Sequence, residues 1–156
     1  AGGFIDWNYV YSIHRGVDEV DCGQYDKEIE VDAANGACLL IRNRVVADIG
    51  YLRDKYFMYW EDADYCLRAK KAGWKVVYTP KTFLWHKVSS SSAIGSNLND
   101  YFLTRNRLDF GLRYALLKTK FALIRESVKL LLTGRKWQKI GVRDYYLGRW
   151  GKGSWK

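Results

Sequence analysis

Residues 57–86 read FMYWEDADYCLRAKKAGWKVVYTPKTFLWH, and the parsing of this stretch decides the fold. A wall of aromatics runs into Glu61, Asp62 and Asp64, three carboxylates within four positions. From Glu61 to Ala72 the residues Tyr65, Cys66, Ala69 and Ala72 recur at helical spacing, which predicts a helix. Lys70 and Lys71 fall in its last turn, where cations suit the dipole, and Gly73 follows as a C-cap. WKVVYT, 74–79, then reads as a strand that Pro80 breaks, and TFLWH, 82–86, as a second short strand.

Outward from this core the pattern stays mixed. GACLLIR, 36–42, is a compact apolar run and reads as a buried strand. RVVADIG, 44–50, reads as a helical turn closed by Gly50. The first 35 residues, punctuated by Gly2, Gly3, Gly16 and Gly23, read as a long loop with one short strand. Downstream, SSSS at 89–92 reads as a loop. Helices are predicted at about 98–117 and 120–132, with a last helical or irregular piece at 135–147. The tail GRWGKGSWK carries no periodicity. The class is α/β.

A chain of 156 residues is long enough to bury roughly 70% of its unfolded surface. Its 48% hydrophobic and 28% charged residues are globular in balance. Cys22, Cys38 and Cys66 are odd in number and widely spaced, which points to neither a disulfide framework nor a zinc site. The default setting is then reducing and cytosolic. No apolar run approaches the ~20 residues of a spanning helix.

The net charge of +9 is unevenly placed. Residues 97–156 hold 14 Lys and Arg against 4 Asp and Glu, while the rest of the chain is nearly neutral. No helix-turn-helix, RRM or zinc pattern accompanies this charge, so nucleic acid is not the expected partner. LLKTKFALIRESVKLLLTGRKW instead mixes apolar stripes with Lys, Arg and Trp, the composition of an interfacial amphipathic helix. The expected partner is the membrane surface, and residues 116–156 form a basic amphipathic helical tail. A solvated basic face would have the same composition.

Two readings stand for the acids. First-turn carboxylates cap a helix and oppose its positive end. Yet one or two would suffice, and adjacent like charges raise each other's pKa. Apolar bulk before them is the setting of a pocket. For His86, a strand-end hydrogen bond competes with metal ligation, since neutral imidazole is a common ligand.

The ordered set G-A-C-L-L-I-R, D-x-x-F-M-Y-W-E-D-x-D, R-A-K-K-A-G-W and P-x-x-x-x-W-H resembles the second half of the catalytic domain of family 2 glycosyltransferases, the GT-A fold. GGFIDW, GQY and RNRL are also similar to that group. The likeness is greatest to rhamnosyltransferase-like and galactofuranosyltransferase-like members and covers about residues 1–115. It implies the C-terminal, acceptor-side portion of a GT-A nucleotide-diphospho-sugar transferase fold, a mixed sheet with flanking helices, followed by the basic tail.

The resemblance also implies roles. Asp62 would be the general base that deprotonates an acceptor hydroxyl as it attacks the anomeric carbon of a nucleotide-sugar, with inversion. Glu61 would orient acceptor or base, and Asp64 would be structural. His86 would be one ligand of a divalent cation, Mg²⁺ or Mn²⁺, that neutralises the diphosphate leaving group. Tyr59, Trp60 and Trp85 would line the sugar site, where core packing is the competing role. Asp6 and Trp7 would lie on a substrate-side loop, and Arg105 would reach a phosphate oxygen, where a solvated helix face is the competing role. The family's D-x-D metal motif and nucleotide-binding loop have no counterpart here. The expectation is that they lie upstream of Ala1, so that this chain alone is inactive.

The resemblance further implies a glycan or lipid-linked acceptor, polysaccharide or cell-envelope biosynthesis, and a cytoplasmic place at the inner face of the membrane. The alternative is a non-catalytic basic module that binds anionic membrane or nucleic acid.

Overall fold

The computed structural model describes residues 1–85 and 95–155. His86 and the serine loop at 89–92 lie outside the described residues. Among these, five helices accompany two small antiparallel sheets, the expected mixed α/β class. The chain divides into two compact units.

The first unit comprises Ala1–Asp6, Tyr11–Arg53 and the described part of Glu61–His86. It holds a hairpin of β1 (Gly3–Asp6) and β2 (Tyr11–His14), with Gly3 opposite His14 and Asp6 opposite Tyr11. Two further two-residue strands, β3 (Ile29–Glu30) and β4 (Val77–Tyr78), pair antiparallel. The helices are α1 (Asn43–Ile49) and α2 (Glu61–Lys71).

Local chemistry sets both helix ends. Gly50 closes α1 at φ +75°, a left-handed conformation that glycine adopts without penalty. Gly73 does the same for α2 at φ +88°. There the Trp74 amide donates to Ala69 O and the Gly73 amide to Lys70 O, the two bonds of a Schellman motif. The buried stripe of α2 feeds two clusters. Cys66 packs with Val31 and Val76, and Tyr65 and Ala69 pack with Val45. Ala72, predicted on that stripe, is exposed beyond the helix end.

Asp64 is fully buried on α2, where Arg53 Nη1 and Arg68 Nε each donate to it at 2.9 Å. Arg68 also reaches the carbonyls of Ile49 and Tyr51, both at 2.8 Å. Two guanidinium groups compensate one buried carboxylate, so its charge is matched rather than stranded. Asp64 is structural, as expected.

Two predicted strands are corrected. GACLLIR opens as a 3₁₀ turn over Gly36–Cys38, because the Asn35 side chain accepts from the Ala37 amide and closes it. Leu39 and Arg42 that follow are extended, but residues 39–42 pair in no sheet among the described residues, and Leu40 is 97% exposed. TFLWH forms no strand over its described residues 82–85. Pro80 ends β4 two residues after it pairs, which leaves Phe83 and Trp85 outside the core.

The second unit comprises Trp7–Val10, Asp54–Trp60 and the described residues from Gly95 onward. Its helices are α3 (Asn97–Tyr114), α4 (Leu117–Thr133) and α5 (Lys136–Tyr146), within a few residues of the predicted bounds. Ser96 caps α3 by accepting from the Asn99 amide at 3.2 Å. α3 is buried on most of its surface and is the spine of the unit. Two glycines let helices approach it. A Cβ on Gly111 would collide with Leu123, and one on Gly141 would stand 2.7 Å from Tyr101 O.

Candidate functional site

In the first unit the candidate centre is the start of α2. The Asp62 carboxylate is oriented by main-chain donors: the Gly36 amide gives to Oδ2 at 2.8 Å and the Ala63 amide to Oδ1 at 2.7 Å. A carboxylate has about four lone-pair sites, so two such bonds leave capacity for an incoming proton. Gly36 heads the GAC turn, whose value to Asp62 was invisible in the sequence.

Glu61 beside it is partly buried, and its Oε2 has no hydrogen-bond partner among the described residues. Burial pushes its pKa up, its own amide opposes this, and the adjacent Asp62 charge adds to the rise. The capping reading of these acids therefore holds only in part. Asp62 does accept from the next amide, but Glu61 buries a carboxyl oxygen that has no donor among the described residues.

Asp6 ends β1, and Trp85 is 91% exposed, its ring 6.2 Å from that of Phe83. Among the described residues no three His, Cys, Asp or Glu side chains gather into a group that could hold a metal. His86 lies outside the described residues.

In the second unit the expected site residues fall on a strained loop and its clamp. Phe57, Tyr59 and Trp60 all have positive φ, at 60°, 64° and 74°, which costs ordinary residues of order 1–3 kcal/mol each. The loop is held from α3. Asn106, fully buried, donates through Nδ2 toward the carbonyls of Tyr56 (2.9 Å), Met58 (2.6 Å) and Tyr59 (3.0 Å). Its Oδ1 accepts from Arg105 Nε at 2.9 Å.

Arg105 itself is fully buried, with its guanidinium on the carbonyls of Lys55, Tyr56 and Arg149. The phosphate contact expected of it is replaced by this internal task, because a guanidinium enclosed by carbonyls and rings presents no donor to solvent. Burial lowers its pKa, opposed by Tyr101. Arg107 completes the RNR triplet on another loop, donating to Tyr9 O at 2.6 Å and Val10 O at 3.1 Å while Glu126 grips it with both oxygens.

Trp60 is only 7% exposed and tilts against Phe110 at 4.7 Å, while Trp7 stacks on the same ring at 5.8 Å. Core packing thus accounts for Trp60. Trp7 and Tyr59 remain partly exposed. Asn106 was missed at the sequence level. The only signal was an uncharged polar residue flanked by two arginines in a helix.

Set against known families, the sequence model described as glycosyltransferase-like family 2 matches residues 7–116. The chain belongs to glycosyltransferase-like family 2. The family span takes in the Asp62 turn, the strained loop and the RNR clamp, while α4 and α5 lie beyond it. An N-acetylglucosaminyl-diphospho-decaprenol L-rhamnosyltransferase of Mycobacterium tuberculosis is 40% identical over 58 residues, 37% of this chain and 19% of that protein.

The low-salt glycan biosynthesis hexosyltransferase Agl10 of Haloferax volcanii is 44% identical over 41 residues, 26% of this chain and 13% of its own length. Galactofuranosyltransferase GlfT2 of M. tuberculosis is 33% identical over 82 residues, 53% of this chain and 13% of the relative. The chain thus matches less than a fifth of the length of these curated relatives.

Proposed function

We propose that this family 2 chain is the acceptor-side part of an inverting glycosyltransferase that moves a sugar from a nucleotide-sugar donor to a hydroxyl of a glycan or lipid-linked acceptor. The observation that carries the reading is the Asp62 carboxylate, fixed by the Gly36 and Ala63 amides at the start of α2 inside the family span. Asp62 takes the hydroxyl proton as the new C–O bond forms and the bond from the anomeric carbon to the nucleotide diphosphate breaks, the diphosphate leaving with the bonding pair. Glu61, next to it in the first turn of α2, orients the acceptor or the base. Relatives named for rhamnosyl, hexosyl and galactofuranosyl transfer support the reaction class and leave the donor sugar open.

In the complete enzyme, Asp62→Asn keeps the size and loses the acceptor for the proton. Turnover falls about 10²-fold or more while donor binding is nearly kept. A variant that retains over a third of wild-type turnover, measured by transfer of radiolabelled sugar, removes the assignment.

Tyr59, Trp85, Asp6 and Trp7 keep substrate-side roles in this proposal, and His86 the role of one ligand to Mg²⁺ or Mn²⁺, on resemblance alone. The nucleotide clamp is assigned upstream, so the 156-residue chain is expected to bind UDP weakly with Mn²⁺ present. A micromolar Kd by calorimetric titration would refute that. Peripheral attachment at the inner face of the cell membrane belongs to the same proposal. No helix among the described residues is long and apolar enough to cross a membrane.

A further inference from the structure

Helix α4 is built inside out. Toward its unit it turns Thr119, Leu123 and Ser127, all buried, two of the three polar. Thr119 Oγ1 donates to Trp7 O, and Ser127 shares a hydrogen bond with the Tyr146 hydroxyl. Glu126, on the same side, is spent on Arg107. Outward the helix turns Leu117, Phe121, Ile124, Val128, Leu131 and Leu132, with Leu117, Phe121 and Leu132 each 70% exposed or more. These recur at the spacing of a single apolar face. A helix that only needed to pack on its own unit would carry the opposite arrangement.

The charge around the stripe says what covers it. At 100° per residue, Lys118, Arg125 and Lys129 line one long edge of the stripe, all exposed, and Lys120 stands on the other. Among the described residues none of Lys118, Arg125 and Lys129 has an ion-pair partner. A second copy docked symmetrically on this face would bring the same basic edges together. Nucleic acid would neutralise the edge and leave the leucines in water. An anionic bilayer surface satisfies both, with the stripe entering the headgroup boundary and the ammonium and guanidinium groups meeting lipid phosphates.

We infer that the outward face of α4, apolar from Leu117 to Leu132 with Lys118, Arg125 and Lys129 along its edge, is a docking surface for an anionic lipid bilayer. At 17 residues the helix lies in the interface plane rather than across it. The inference rests on the membrane placement proposed above and not on the transfer chemistry.

The test is co-sedimentation of the chain with vesicles of phosphatidylglycerol in phosphatidylcholine, against phosphatidylcholine alone, at low and high salt. Binding is expected to the anionic vesicles, weakened at high salt. Phe121→Ser/Val128→Ser/Leu132→Ser should weaken it at least tenfold. Each of Lys118→Gln, Arg125→Gln and Lys129→Gln should weaken it roughly fivefold. Leu40→Ser, at an exposed apolar residue of the other unit, should leave it unchanged.

No binding at low salt, equal binding to neutral vesicles, or a folded stripe variant that binds as wild type overturns the inference. So does a dimer in sedimentation equilibrium that the stripe variant abolishes, since a second copy would then be the occupant. The charge variants keep the test alive if the triple substitution disturbs folding. Asp62→Asn should bind vesicles normally, which separates this outcome from that of the transfer reading.

Discussion

Asn106→Ala is the sharpest test of how the loop before the acidic pair is held. The amide nitrogen carries two hydrogens and faces three main-chain carbonyls within 3.0 Å, so at least one hydrogen is shared. Removing it takes this donor from the part-buried carbonyls of Met58 and Tyr59, while Tyr56 O keeps Arg105 Nη2 and the Met58 amide, and it takes away the oxygen that receives Arg105 Nε. At ~1–3 kcal/mol for each unsatisfied group, with a small cavity added, the loss should be about 3–5 kcal/mol. Against a whole-domain stability of about 5–15 kcal/mol that is a large share.

Urea unfolding followed by far-UV circular dichroism measures it, and a calorimetric Tm should fall by about 10–15 °C. Asn43→Ala, at an exposed position of α1, serves as control and should stay within about 0.5 kcal/mol. A loss below about 1 kcal/mol for Asn106→Ala, with m unchanged, would refute the clamp. The carbonyls would then be finding other donors, and the left-handed residues would need a different restraint.

Two further outcomes follow from other sites. Gly141→Ala would gain helix propensity, yet its Cβ would stand 2.7 Å from Tyr101 O, and that clash should dominate by about 1–3 kcal/mol; an unchanged or higher Tm would show that α5 can shift away. Glu61 has a pKa raised mainly by burial, so the native state holds its proton to higher pH than the unfolded chain does. Its stability contribution is present below the unfolded pKa and is lost as pH rises through the folded one. Glu61→Gln should therefore melt above wild type at pH 7, with the gap closing near pH 4; an equal gap at both pH values would contradict this.

Much of α2 was legible because its signals are local. Three acids open it, two lysines and Gly73 close it, and Tyr65, Cys66 and Ala69 mark the face that is buried. The bounds of α3 to α5 were legible for the same reason. GACLLIR misled because its composition suits a strand, while the outcome was set by the Asn35 side chain and by the absence of a strand partner among the described residues.

The candidate base at Asp62 was found through family likeness, whereas its Gly36 donor lies 26 residues away and no spacing rule connects them. Arg105 was read as surface chemistry because RNR gives no hint of burial. Its carbonyl partners at Lys55 and Tyr56 are about fifty positions distant. The stripe of α4 was visible too, but periodicity does not say which side of a helix faces its own domain.

The grip of Arg107 on the 9–10 turn has a consequence for the order in which the chain can mature during synthesis. Val10 is fully buried with φ 55°, a conformation that a β-branched residue resists, and its carbonyl is secured from a residue 97 positions later. At about 5–20 residues per second, the ribosome leaves that turn without its latch for roughly 5–20 s. Glu126, which holds the latch by both oxygens, arrives later still. Nascent chains arrested before residue 107 should be cut by chymotrypsin after Tyr9, and chains long enough to expose Glu126 outside the tunnel should resist. The 9–10 turn is thus made well before the residues that seal it.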